Sequence, residues 1–321
     1  MNTPVLDAPL PRTAEPSPPD IHVATDADIP AGKRFDIDCE LAYDLTGDCD
    51  FLFQIHAMNG TGQQLISESL DITPAVATHI YEDPTVHHRF LRLRAGAGPL
   101  TVRYRAQVRR LPDPDASEAV ELPIADLPDD ILHNLMPTRY CESDLLGRAA
   151  QKLFCDHPPG FARVQAICDW IQLSIAYEPG STDSTTTARE VFVQRAGVCR
   201  DFAHLGVTLC RALNIPARLV VGYVFFEEPP QDFHAVFEAW VGGRWVLFDP
   251  TQMAPVDRLV RVGTGRDAKD VAFSTIFGAV QMTGKTIAVE ERQNELVKPP
   301  PAPAASGELV GIEKPVPVAS A

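Results

Sequence analysis

The sequence has no long hydrophobic run and no overall excess of positive charge. No apolar stretch approaches the roughly 18–20 residues that a membrane-spanning helix needs, so we expect no membrane partner. The formal net charge is −15, and no basic stripe with interleaved aromatic residues offsets it. Because such a surface repels phosphate backbones, we also expect no nucleic-acid partner.

The start of the chain lacks the apolar segment of a secretory signal. Residues 1–20 are rich in proline and contain no hydrophobic region of the required length, so we expect a flexible N-terminus and a cytoplasmic protein. Residues 293–321 are rich in proline and alanine, which predicts a flexible tail.

The cysteines do not form a metal-binding or disulfide pattern. They number seven, their spacings are scattered, and no CxxC pair occurs. A disulfide framework and a structural zinc site are therefore poorly supported, and we expect neither a metal nor a cofactor. The question becomes whether one of these thiols is reactive.

Hydrophobic periodicity divides the chain into two domains. Over 21–112, alternation such as that from Phe35 to Tyr43 predicts an antiparallel β domain with one exposed face. Over 113–292 the pattern is helical from about 125 to 215 and then returns to strands. This order of elements predicts an α+β fold for the second domain.

Cys199 lies where a helix is predicted to begin. Gly197 precedes it by two residues, and apolar residues with helical spacing follow it from Phe202 onward. Unpaired N–H groups and the helix dipole favour a thiolate at such a position, and a thiolate is the form that attacks a carbonyl carbon. A cysteine in the first turn of a helix is more often structural, so this signal is weak alone.

His234 and Asp249 lie on two strands that are predicted to form a hairpin. Strand alternation puts His234 and Trp240 on one face, whereas Asp249 closes an apolar strand before Pro250. A turn centred near Gly242 would place Asp249 almost directly opposite His234. The alternatives are an ordinary edge histidine and a strand-ending Asp-Pro turn. The functional interpretation is an imidazole whose tautomer and charge the carboxylate stabilises.

The three segments in this order resemble the transglutaminase-like superfamily. Its blocks around a Cys-His-Asp triad are similar to GVCRDFAHL, DFHAVFEAWV and WVLFDPT. The segments around Arg139–Asp144, Val164–Ile171 and Gly263–Asp267 resemble the bacterial transglutaminase-like cysteine proteases that carry an N-terminal β domain. The resemblance covers about residues 21–290.

The resemblance implies a papain-like transglutaminase core, in which helices pack on an antiparallel sheet. It implies that Cys199, His234 and Asp249 are catalytic, with a thioester acyl-enzyme formed on the cysteine from an amide bond of a peptide or protein substrate. Water would make the protein a cysteine peptidase or amidase, and an amine would make it a protein-glutamine transamidase.

Several departures favour hydrolysis. Animal transglutaminases resemble this chain only over the core, so we expect none of their C-terminal barrels and calcium sites here, and the sequence lacks the CxxC module of peptide:N-glycanase-like relatives. A non-catalytic peptide-binding module is the alternative from another class, although binding alone does not need all three triad residues. The oligomeric state stays open.

Four further residues are candidates for support of the site. Asp201 and His204 follow the cysteine on the same predicted helix, and both could equally be ordinary helix polar groups. Tyr177 is the candidate side-chain donor to the oxyanion, with core packing as the alternative. Trp240 shares the His234 face, where it would line the cleft or simply pack against it.

Overall fold

The alternating residues of the N-terminal region form antiparallel strands. The computed structural model describes residues 32–60, 62–226 and 231–292, so the predicted flexible N-terminus and tail lie outside the described residues. The strands are β1 (Lys33–Leu45), β2 (Cys49–Phe53), β3 (Gln63–Thr73), β4 (Thr78–Glu82), β5 (Arg89–Ala95) and β6 (Gly98–Arg110). Every second residue of β1 from Phe35 to Leu45 is buried, as a strand with one exposed face requires.

Two later strands complete this β domain. β13 (Ser274–Phe277) pairs with β2, and β14 (Val280–Arg292) pairs with β1 along almost its whole length. The sheets have the orders β14–β1–β6–β3 and β13–β2–β5–β4. The predicted second domain, 113–292, therefore extends too far along the chain. Residues 274–292 form strands of the first domain instead. Strand pairing at this sequence distance leaves no local signal in the sequence.

The helices begin later than the periodicity suggests. They are α1 (Ser143–Phe154), α2 (Phe161–Ser174), α3 (Ala188–Gln194) and α4 (Cys199–Ala212). Between 116 and 142 the chain forms only short 3₁₀ turns, with Pro123 and Pro128 at their starts. Proline lacks an N–H and restricts the preceding residue, so it prevents a continuous helix there.

The helix α4 lies at the centre of the second domain. Its residues from Asp201 to Arg211 are buried, and it packs across β10 (Phe233–Val241). A Cβ atom at Gly206 would lie only 2.5 Å from the Phe237 ring. The absence of a side chain there allows the helix to approach the strand closely, which brings the start of α4 over the sheet.

The second domain is completed by a four-stranded antiparallel sheet. β9 (Ala217–Val224), β10, β11 (Arg244–Phe248) and β12 (Leu259–Gly265) form it in the order β11–β10–β9–β12. The α+β prediction is thus confirmed: an N-terminal antiparallel β domain is followed by helices packed on an antiparallel sheet. None of the helices in the described residues is long and apolar enough to cross a membrane.

The predicted hairpin is present, but its register differs from the expectation. Gly242 and Gly243 form the turn with φ of 61° and 73°, a conformation that suits glycine in a two-residue hairpin loop. The strands pair Phe237 with Phe248. Continued to residue 249, this register puts Asp249 opposite Val236, so it meets His234 diagonally rather than directly.

The β domain packs against β9 and β12 through both apolar and polar contacts. Tyr223 and Val260 belong to the same buried cluster as the core of β1 and β6. The Tyr223 hydroxyl donates to the Ile55 carbonyl at 2.6 Å. The Gln63 amide donates to the Arg261 carbonyl at 2.9 Å and accepts from its N–H at 2.8 Å. These buried hydrogen bonds hold the sheet that carries the candidate site against the β domain.

Candidate active site

Cys199 is the first residue of α4, and its surroundings explain why the helix begins there. Val198 is extended, and its N–H donates to the Asp201 carboxylate at 3.0 Å, which satisfies a group at the helix start. A Cβ at Gly197 would lie 2.8 Å from the Asp201 Cβ, so the glycine makes room for this cap. Cys199 itself is only partly buried, and its sulfur stands at the positive end of the helix dipole.

The structure brings His234 and Asp249 into direct contact. His234 Nε2 and Asp249 Oδ2 lie 2.9 Å apart, and the two side chains are only 2% and 4% exposed. The other carboxylate oxygen accepts from the Thr251 N–H at 2.9 Å and from the Thr251 hydroxyl at 2.7 Å. Both oxygens of Asp249 therefore have partners, and the carboxylate is held in one orientation toward the imidazole.

His234 also contacts Cys199, and its two partners decide its charge. Burial by itself lowers the pKa of the imidazole, because it disfavours the charged form. Hydrogen bonds from the ring to Asp249 and to Cys199 outweigh this effect and raise the pKa of His234 to about 10. The site therefore favours an imidazolium between a carboxylate and a sulfur, which is the arrangement that accompanies a thiolate nucleophile.

Tyr177 lies beside the cysteine because two short strands pair in parallel. β7 (Ala176–Tyr177) runs next to β8 (Ala196–Gly197), and Tyr177 is opposite Gly197, two residues before Cys199. The Tyr177 hydroxyl is within hydrogen-bonding reach of both the backbone N–H and the sulfur of Cys199. Burial and the charge of Cys199 raise the pKa of Tyr177 to about 12, so the phenol keeps its proton and can donate it in a hydrogen bond.

The two other candidate residues on α4, Asp201 and His204, have their hydrogen bonds and ring contacts away from His234 and Asp249. Asp201 is occupied by the Val198 cap, by the Thr182 hydroxyl at 2.5 Å and by the Arg200 guanidinium at 2.7 Å. It supports the site only by holding the start of the helix. His204 is fully buried one turn further on, where its ring stacks on Tyr140 with centroids 5.1 Å apart.

Trp240 lies away from the triad, contrary to the support role expected of it. It is six residues from His234 on β10, which corresponds to roughly 20 Å along a strand. Its ring packs edge-on against Trp245 at 5.3 Å. Alternation correctly assigns the two residues to one face, but a shared face says nothing of distance along it.

One residue that contacts the triad is missed by the sequence argument. Thr251 directs both its N–H and its hydroxyl to Asp249, in a turn closed by a third hydrogen bond from the Gln252 N–H to the Asp249 carbonyl. A threonine two residues after an aspartate is a known pattern for such turns, so the signal was present in Asp249-Pro250-Thr251.

The described residues contain no group of three or more His, Cys, Asp or Glu side chains that is arranged to hold a metal ion. The candidate site brings together a thiol, an imidazolium, a carboxylate and a phenol. Together these groups can attack a carbonyl, stabilise an oxyanion and deliver a proton to a leaving group.

Comparison with known proteins places both domains in one group. Residues 148–250 match the core of the transglutaminase-like superfamily, and residues 33–122 match the N-terminal domain of bacterial transglutaminase. An uncharacterized protein from Mycobacterium leprae is 31% identical over 234 residues, which cover 67% of this chain and 81% of that protein. An uncharacterized protein from Mycobacterium bovis is 33% identical over 143 residues, 40% of this chain and 46% of that protein.

A solved structure shares the whole fold. The crystal structure of a candidate cysteine protease from Cytophaga hutchinsonii superposes with a TM-score of 0.77 at 38% sequence identity. The match covers 83% of this chain and 93% of that chain, so it includes both domains. The fold and this neighbour suggest an enzyme. On the shared architecture and sequence, the chain belongs to the transglutaminase-like superfamily.

Proposed function

We propose that the protein is a cysteine peptidase or amidase that cleaves amide bonds of peptide or protein substrates through Cys199, His234 and Asp249. The observation that carries the proposal is the double hydrogen bonding of a buried imidazole. His234 contacts Asp249 on one side and Cys199 on the other, while Cys199 stays partly exposed. An arrangement of this kind activates a nucleophile and leaves it accessible to substrate.

The first half of the reaction forms a thioester. The Cys199 thiolate attacks the amide carbonyl carbon, and the carbonyl oxygen becomes an oxyanion. The C–N bond then breaks as His234 donates its proton to the leaving amine, and the acyl group remains on the sulfur. Asp249 keeps the imidazole oriented and stabilises its charged form.

Water completes the cycle. The neutral imidazole that remains takes a proton from water as the water oxygen attacks the thioester carbonyl. The C–S bond breaks, the carboxylic acid leaves, and the thiolate and imidazolium are restored.

The oxyanion has two donors in this scheme. One is the Cys199 backbone N–H at the start of α4, and the other is the Tyr177 hydroxyl, which lies against that N–H. Donors that already converge before substrate binds need little rearrangement, and such preorganisation is a large contribution to catalysis. Tyr177 therefore has the role of second oxyanion donor.

The same acyl-enzyme would serve a transamidase, in which an amine replaces water. A purely peptide-binding module is less well supported, because binding alone does not require a buried imidazole that is hydrogen-bonded to both a carboxylate and a thiol. The two activities differ in how the acyl-enzyme partitions between water and an added amine, which the ratio of hydrolysis product to transfer product measures.

The decisive measurement is the alkylation rate of each cysteine by iodoacetamide between pH 5.5 and 9, read by peptide mass mapping. At pH 6, Cys199 is expected to react faster than the other six cysteines. In His234→Ala its alkylation rate is expected to fall at least about tenfold. Cys155 is an internal reference, because it is exposed but the neighbouring Asp156 carboxylate raises the pKa of its thiol.

Cleavage of an unfolded protein substrate is measured in parallel, with the Cys199→Ala variant as the negative control. A fast Cys199 together with cleavage that is lost in Cys199→Ala supports the proposal. If Cys199 is no faster than Cys155 at pH 6, the thiolate–imidazolium pair does not exist and the proposal fails.

A further inference from the structure

A cavity of about 430 Å³ opens beside Tyr177. Its lining comes from the end of α2, the β7 segment, the first turns of α4 and the loop after Asp249. The lining residues are Gln172, Ile175, Tyr177, Pro179, Phe202, Thr251 and Met253. The volume falls in the range of roughly 300–1,000 Å³ that is typical of ligand pockets, so it can hold a whole side chain.

The chemistry of the lining predicts an apolar occupant. None of the seven lining residues is charged, and Ile175 and Phe202 are almost completely buried in the cavity wall. The Phe202 ring packs against Tyr177 with centroids 5.8 Å apart, which continues the apolar surface up to the candidate nucleophile. A charged side chain placed here would lose its hydration without gaining an ionic partner.

The position of the cavity relative to the triad indicates which part of the substrate it receives. Tyr177 connects it to Cys199, and Thr251 connects it to Asp249, whose carboxylate holds His234. The cavity therefore opens between the proposed oxyanion donor and the residues that hold the proton donor. Because the leaving amine must face His234 to receive its proton, this is the side of the departing group.

We propose that this cavity binds the apolar side chain of the residue directly after the scissile amide, and that the enzyme prefers leucine, methionine or phenylalanine at that position. The inference rests on the proposed function and adds the substrate class. It also implies that amines with an apolar side chain accept the acyl group best, since acceptor and leaving group occupy the same place.

The first test compares matched fluorogenic peptides that differ only in the residue after the scissile bond. Leucine is expected to give kcat/KM at least about tenfold above glycine, aspartate or lysine, as burial of one apolar side chain allows. A second series varies the residue before the bond and is expected to show a smaller spread. A larger spread in the second series would overturn the assignment of the cavity to the leaving side.

The second test uses partition of the acyl-enzyme. Leucinamide, glycinamide and lysinamide are added to a turnover reaction, and the transfer product is quantified against the hydrolysis product by mass spectrometry. The leucinamide nitrogen attacks the thioester, a C–N bond replaces the C–S bond, and His234 takes the amine proton. Leucinamide is expected to give at least about tenfold more transfer product than glycinamide at equal concentration. Equal transfer from all three amines would contradict the proposal.

Variants of Met253 connect both tests to the cavity. Met253→Glu is expected to reduce the preference for leucine over lysine by about tenfold or more, and Met253→Ala is expected to shift the preference from leucine toward phenylalanine. Leu173→Glu is the matched control, because Leu173 is 82% exposed on α2 and does not line the cavity. If Met253→Glu folds normally and keeps the wild-type preference, the cavity is not the subsite.

Failure of this inference can be told apart from failure of the proposed function. Alkylation of Cys199 by iodoacetamide does not depend on a side-chain pocket, so it is measured on every variant. An active enzyme with a fast Cys199 and no preference after the scissile bond refutes only the subsite. A slow Cys199 and no cleavage of any peptide refute the proposed function itself.

Discussion

Two buried histidines of the second domain, His204 on α4 and His234 on β10, have pKa values that are shifted in opposite directions. His204, one turn into α4, is fully buried, and the Ala268 N–H donates to its Nε2 at 3.1 Å. Burial lowers the pKa of His204 to about 4. His234, at the start of β10, is almost equally buried, yet its pKa is raised to about 10 by its bonds to Asp249 and Cys199.

The difference teaches that burial alone does not decide the charge of a histidine. Desolvation disfavours the imidazolium in both places, and at His234 direct contact with Asp249 and Cys199 reverses the outcome. His204 contributes to packing through its stacking on Tyr140. The raised pKa of His234 favours a protonated ring at neutral pH, which the proposed reaction requires for transfer of a proton to the leaving group.

The largest expected effect comes from removal of the Asp249 carboxylate charge, which His234 contacts directly. Asp249→Asn should make the surroundings of His234 similar to those of His204, so the imidazole loses its proton at neutral pH. We expect kcat/KM for amide cleavage to fall about 10³–10⁴-fold, measured with a fluorogenic peptide. Asp144→Asn makes the same chemical change at an exposed position on α1 and should leave the rate unchanged. A loss of kcat/KM below about tenfold in Asp249→Asn would show that the carboxylate does not account for the difference between His234 and His204.

Removal of the Tyr177 hydroxyl tests its proposed role as an oxyanion donor and leaves both His234 and its Asp249 partner in place. Tyr177→Phe should lower kcat about 10²–10³-fold, whereas Cys199 should still be alkylated faster than Cys155 at pH 6. The control is Tyr140→Phe, which removes a hydroxyl that donates to the Ser184 carbonyl instead. An unchanged kcat in Tyr177→Phe would reduce Tyr177 to a packing residue.

Stability measurements at different pH values sharpen the comparison between the histidines. The unfolded chain protonates His204 near pH 6.5, whereas the folded protein resists this until about pH 4, so stability falls as pH falls through that window. The contribution of His234 is fully present below pH 6.5 and is lost as pH rises toward and through about 10.

Chemical denaturation at pH 4.5, 7 and 10.5 checks both signs. In His204→Phe, the loss of unfolding free energy between pH 7 and 4.5 should be about 2 kcal/mol smaller than in the wild type. In His234→Gln, the loss of unfolding free energy between pH 7 and 10.5 should be smaller than in the wild type. His56, which burial also shifts to a pKa of about 4, stays in both variants, so some acid dependence remains. The same pH dependence in wild type and His204→Phe would contradict the assignment.

The smallest effect is expected at Thr251. Thr251→Val removes the hydroxyl that holds the outer oxygen of Asp249 but leaves the backbone N–H in place. We expect kcat/KM to fall about tenfold and the apparent pKa of the alkaline limb of activity to decrease, because the carboxylate is less well oriented. Thr251→Ser keeps the hydroxyl and should recover most of the activity. Equal activity of the serine and valine variants would show that the hydroxyl has no positioning role.

Local patterns predicted much of the fold. Alternation located β1 and β6, helical spacing located α2 and α4, and the paired glycines located the β10–β11 hairpin. The α+β order and the superfamily followed from them, and both are confirmed. These features depend on neighbours along the chain, so their signals survive in the sequence.

The errors have a different origin. The hairpin register is shifted so that Asp249 reaches His234 diagonally, and Trp240 packs on Trp245 far from the cysteine. A period of two assigns a side chain to a face but not to a distance or a partner. The proposed role of Tyr177 depends on a contact between segments, which periodicity cannot rank.

The sequence by itself determined where α4 begins, which strands carry the imidazole and the carboxylate, and to which superfamily the chain belongs. Only the tertiary structure decided that the pKa of His234 is raised and that of His204 is lowered, that β14 returns to the first domain, and that an uncharged cavity opens beside Tyr177. The physical reason is that helix starts and strand faces depend on short-range sterics and hydrogen bonds. Charge states and cavities depend on which distant groups come into contact and on how much water they exclude.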